Sequence, residues 1–120
     1  MNKSYDFRRA DSLIPLLQVL NREIEERTKS VRSATHRVHR LRRSNDLTST
    51  ERRNKIALLE AEISNHKREI RYTKKELEEL GCIVDTENPS TVLIPGRDGS
   101  LAAGYEWRLG DTRVHPPVGN

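Results

Sequence analysis

The chain has 120 residues, of which 33% are hydrophobic, 33% charged and 4% aromatic. Ordinary globular chains are nearer half apolar and a quarter charged, so a compact core of ordinary size is excluded. Disordered chain, or long helices that bury only a narrow seam, fit such a composition. The longest apolar run, Leu13-Ile14-Pro15-Leu16-Leu17, is far short of the roughly 20 residues of a membrane helix, so no membrane partner is expected. No apolar stretch with a small-residue cleavage site follows the basic start, so no secretory leader is expected either. Cys82 is the single cysteine. It cannot close an internal disulfide, which makes a reducing cytoplasm the expected compartment.

The first helix is expected over residues 6–43, with Asp6 as its N-cap. With Leu17 at an a position, the a series is Ala10, Leu17, Ile24, Val31 and Val38. The d series is Leu13, Leu20, Arg27, Ala34 and Leu41. Only Arg27 is polar, so the pattern is a sustained coiled-coil seam. Pro15 removes a backbone donor inside it, and a kink is expected near Asp11 to Pro15. Residues 44–48 read as a turn. Thr48-Ser49-Thr50-Glu51 reads as a capping box that starts a second helix over 49–80. Its a series is Ile56, Ile63, Ile70 and Leu77, and its d series Leu59, His66, Thr73 and Leu80. Gly81 is the expected stop. A short loop between two long helices makes them antiparallel.

After Gly81 the period changes. Residues 82–115 read as a small β unit: Cys82-Ile83-Val84 and Thr91-Val92-Leu93-Ile94 as short strands, then an alternating strand from Leu101 to Leu109. In that alternation Tyr105 and Trp107 share one face, and Glu106 and Arg108 the other. Arg113-Val114-His115 is a candidate return strand, and 116–120 a tail. Such a unit is not stable alone. Leu13, Ile14, Leu16, Leu17, Val19 and Leu20, apolar nearly all round the first helix, offer it a surface. The expected fold class is therefore mainly α: a long antiparallel two-helix coiled-coil hairpin with a small β-hairpin or meander packed at its base, in a single domain over 1–120.

Certain short motifs carry a resemblance. Tyr5-Asp6-Phe7-Arg8-Arg9-Ala10-Asp11-Ser12-Leu13-Ile14-Pro15 is similar to an opening of aromatic, capping residue, two polar residues and Ala-Asn-x-Leu-Leu-Pro. Leu80-Gly81, Val92-Leu93-Ile94-Pro95 and Trp107-Arg108-Leu109-Gly110-Asp111 are similar to Leu-Gly, Leu-Val-Asp-Phe-Pro and Cys-Trp-Arg/Lys-Leu-Gly-Glu. Together they resemble the bacterial family called domain of unknown function 2203, over nearly the whole chain. The resemblance implies a helical hairpin followed by a small β element, and no activity. Leu93 stands where the pattern has aspartate, and Glu106 where it has cysteine. Its aromatic-Trp-His ending is absent, leaving His115 before Pro116-Pro117. A site built from those polar residues is not expected here.

The sequence gives catalysis little support. Most carboxylates fall on outer helix faces, where they serve as solvated surface or i,i+4 partners. Ser, His and acid residues gather at no nucleophile spacing, and no Gly-rich phosphate loop is present. His36 and His39 can share a helix face, but Arg37, Arg40, Arg42 and Arg43 surround them and disfavour a cation. No enzyme activity, cofactor or metal is expected. Arg27 and His66 fall at d positions of opposite helices. Two readings stand: they fix register from inside the seam, or Arg27 snorkels outward and His66 sits half exposed.

Charge is the strongest functional signal. From Arg27 to Lys55 there are ten basic and two acidic residues, a net +8, so the total of +4 leaves −4 for the rest. Lys29, Arg32, Arg40 and Arg43 lie on the outer face, where phosphates can reach them. No aromatics interleave them for base stacking. The leading expectation is a non-enzymatic interaction or scaffold protein, a homodimer with a protein partner not identified by the sequence. The alternative is nucleic-acid backbone binding at the basic hairpin tip. The seam core is expected to be Leu17, Leu20, Ile24, Val31, Val38, Leu59, Ile63, Ile70 and Leu77.

Overall fold

The computed structural model describes residues 3–117. It is mainly helical, with two long packed helices and a small antiparallel sheet. Helix α1 spans Phe7–Asp11, α2 Ile14–Arg43 and α3 Ser49–Glu79. Strands β1 (Ile83–Val84), β2 (Thr91–Ile94) and β3 (Tyr105–Arg108) follow. The described residues fall into two compact units. A sheet unit holds the chain up to Glu25 and from Tyr72 onward, and a hairpin unit holds Glu26–Arg71. Of the tail expected over 116–120, residues 118–120 lie outside the described residues.

Helix starts and stops follow local chemistry. Asp6 caps α1, its carboxylate accepting from the Arg9 N–H at 2.8 Å. The single helix expected over 6–43 is broken rather than kinked: α1 ends at Asp11, with Ser12 as its C-cap. Pro15 has no N–H to donate, so it suits the first turn of a new helix and not the interior of an old one. The capping box is formed. The Glu51 N–H donates to Thr48 Oγ1 and the Thr48 N–H to Glu51 Oε2, each at 3.1 Å. At the far end of α3, Gly81 adopts φ +82°. The Gly81 N–H donates to Glu78 O at 2.8 Å and the Cys82 N–H to Leu77 O at 2.9 Å. These are the paired bonds of a Schellman stop, which requires a left-handed residue at that place.

In the hairpin unit the helices pack antiparallel on Ala34, Val38 and Leu59, with Leu41, Ile56 and Ile63 half-buried around them. Val31 and Ile70 are half-buried seam positions of the same unit. The turn is closed by a residue of the following helix. Arg52 Nη2 donates to the carbonyls of Ser44 and Leu47.

The sheet unit carries the deeper core. Leu17, Leu20, Ile24 and Leu77 are buried there together with Val92, Ile94, Trp107 and Val114. Leu16 and Val19, expected to join them, are exposed. The sheet is a three-stranded antiparallel meander of order β1-β2-β3, with Ile83 opposite Leu93 and Val92 opposite Trp107. Long-range bonds fasten it. Tyr5 Oη donates to Leu80 O at 2.7 Å, and the Val114 N–H donates to Asp11 Oδ1 at 3.0 Å.

The strand expected over Leu101–Leu109 shortens to Tyr105–Arg108. Residues before it turn instead, and Gly104 sets the boundary: a Cβ there would lie 1.8 Å from Ile94 O. Glu106, expected on a polar face, is buried. The return segment reaches it as a single bridge, the Glu106 N–H donating to His115 O and the His115 N–H to Glu106 O. That bridge covers the face the alternation left open.

Candidate functional site

The polar pair of the seam meets. Arg27 Nη1 donates to His66 Nδ1 at 3.1 Å, with both residues half-buried. Arginine has no acceptor, so His66 Nδ1 is the accepting nitrogen of this contact. Nε2 is 3.8 Å from Glu62 Oε1. Arg27 thus reaches across the seam to His66, and His66 itself is half-exposed, as the second reading has it.

The outer face of α2 is a cationic stripe. Positions opposite the seam are Lys29, Arg32, Ser33, His36, His39, Arg40 and Arg43, and all are exposed. Their spacing of three and four residues aligns them on one face. Ser33, His36, His39, Arg40 and Arg43 line one surface concavity of about 450 Å³. Thus Arg40 and Arg43 come together, while Lys29 and Arg32 continue the stripe outside that concavity. Among the described residues none of Lys29, Arg32, Arg40 and Arg43 forms an ion pair, whereas Arg42, on a flank, pairs with Glu60 at 3.5 Å. Arg52, part of the same basic run, is held by the turn carbonyls and is not offered outward.

The opposite outer face, on α3, carries Asn54, Ala57, Leu58, Ala61, Ser64, Asn65 and Arg68; Arg68 Nη2 donates to Asn65 Oδ1 at 3.0 Å, and Leu58 is 73% exposed. Leu58 also borders a groove of about 680 Å³ along one flank, with Arg37, Arg40, Leu41 and Lys55.

In the sheet unit, groups with chemical potential are committed to structure. Asp111 accepts from the Arg108 N–H at 3.0 Å and pairs with His115 Nε2 at 2.8 Å. Its backbone carbonyl accepts from Trp107 Nε1 at 3.0 Å. The His115 bond, ahead of the backbone bond, holds the Asp111 carboxyl below the usual range. Burial pushes the Cys82 thiol up to about 12, which removes its nucleophilic form at neutral pH. Leu93 and Glu106, the two strand positions that depart from the resembled pattern, are direct register partners. The Asp111 hub and the Arg52 lock escape sequence reading. Only the Gly110-Asp111 turn signal points to the first, and nothing local points to the second.

A family model described as uncharacterized conserved protein (DUF2203) matches residues 3–116. No curated protein and no solved structure matches the chain.

Proposed function

We propose a role for a chain that belongs to the DUF2203 family: a non-enzymatic coiled-coil interaction protein that self-associates as a homodimer in a reducing cytoplasm. One observation carries this. Within Glu26–Arg71 only Ala34, Val38 and Leu59 are buried, while Leu58 on the same helices is 73% exposed. Three buried side chains remove little apolar area from water, and two more helices in a four-helix arrangement would extend that core. The buried, unreactive Cys82 suits a compartment without disulfide chemistry. Sedimentation velocity at micromolar concentration tests the reading. A dimer of the 13.9 kDa chain is expected, and a clean monomer overturns it.

A second reading, nucleic-acid backbone binding, is favoured by the unpaired cations on the outer face of α2. Counterion release would drive it without base readout. Affinity for duplex DNA should then fall with salt at a log–log slope of about 0.9 per phosphate contact. The triple variant Arg32→Glu, Arg40→Glu, Arg43→Glu should lose binding without losing fold. Equal binding by the parent and the triple variant at low salt would defeat this reading, as would no binding by either.

A further inference from the structure

One flank of α2 is self-complementary when reversed. From the seam side to the edge of the cationic stripe, which it meets at Ser33, the row reads Glu26, Ser30, Ser33, Arg37 along the helix, with spacings of four, three and four residues. Reversed, the row has the same spacing with its charges exchanged. A two-fold interface places residue i against j and j against i, and this row satisfies that rule. We propose that two copies pair antiparallel along this flank of α2, with Glu26 of each opposite Arg37 of the other and Ser30 opposite Ser33 at the crossing.

The charged members are available. Glu26 and Arg37 are exposed, and among the described residues neither forms an ion pair. The acid facing Arg37 across the groove is Glu62, whose Oε1 is placed toward His66 Nε2 at 3.8 Å. The middle of the row is low. Ser30 Oγ bonds back to Glu26 O at 3.1 Å, and both serines are short side chains, so two helices can approach closely. The same flank supplies apolar surface in Leu41 and the exposed Leu58. The charge pairs would set direction, because in a parallel pair like charges would coincide. Of the cationic outer stripe only Ser33, at its edge, enters this row, and Lys29, Arg32, Arg40 and Arg43 stay open.

The inference rests on the self-association proposed above and deepens it by naming the surface. Its test is charge exchange followed by sedimentation velocity, with far-UV circular dichroism to confirm helicity. Arg37→Glu places acid against acid at both ends of the row, and Glu26→Arg places cation against cation. Each single variant should dimerise about tenfold or more weakly than the parent. The double variant Glu26→Arg, Arg37→Glu should recover the dimer. Mixing the two single variants should give a heterodimer, because one chain then presents only cations and the other only acids. A dimeric parent whose variants all dimerise as it does overturns this surface and leaves self-association standing. A monomeric parent overturns both.

Discussion

At the scale of single residues, Asp111 does the work of several. It joins the end of β3 to the return segment through Arg108, His115 and Trp107. Its carboxyl is held below the ordinary range by the His115 bond, so the sign of its linkage is set. A carboxylate depressed in the folded state stabilises above its unfolded value, about 3.9, and that contribution is lost as pH falls through the lower folded value. Acid titration followed by the fluorescence of Trp107, the single tryptophan, should show this loss below about pH 4. Asp111→Asn should flatten the dependence in that window, and an unchanged acid profile would remove the residue from this role. Burial ranks the seam in the same way. Leu17 is fully buried and Ile63 only half-buried. Leu17→Ala should therefore cost about 2–5 kcal/mol in denaturant unfolding, and Ile63→Ala clearly less.

At the scale of elements, the turn between α2 and α3 is sealed twice, by the Thr48–Glu51 box and by Arg52 on the turn carbonyls. Thr48→Ala should lower stability by about 1 kcal/mol. Arg52→Ala frees two carbonyls at once and should raise amide exchange in residues 44–52, readable by mass spectrometry without any change in the sheet unit. Equal exchange in parent and variant would show the seal to be ornamental. Only one of these seals was legible in advance. The box, the Asp6 cap and the seam are short-period patterns, and a period of three and four residues is written in the helix itself. The Arg52 lock depends on where a turn carbonyl arrives. The burial of Glu106 depends on a bridge from His115, nine residues on, and the shortening of β3 on the approach of Gly104 to Ile94. Alternation along a strand says which residues share a face, not whether that face is later covered. The cationic stripe was legible as a composition. That its members lack acid partners was not, because ion pairing with α3 is a matter of helix register.

At the scale of the whole molecule, the two units differ in the depth of their cores. The sheet unit buries Leu17, Leu77, Val92, Ile94 and Trp107 completely or nearly so. The hairpin unit buries three side chains. Local opening follows buried contact, so amides of Glu26–Arg71 should exchange faster than those of the sheet unit. Partner binding adds stability by mass action, so this difference should shrink as protein concentration rises. Exchange rates independent of concentration would argue that the hairpin stands alone.

The bonds that fasten the sheet unit join residues far apart in the chain: Tyr5 to Leu80, and Asp11 to Val114. During synthesis, Asp11 leaves the ribosome long before its acceptor site is used. The hairpin segment is made in between and can pair its own helices by local contacts, while Leu17 and Leu20 wait uncovered for strands not yet made. Low-separation contacts form first and distant ones last. A nascent chain stopped before Val114 thus exposes the greasiest part of the protein, and that interval is when it would most need the shelter of a chaperone.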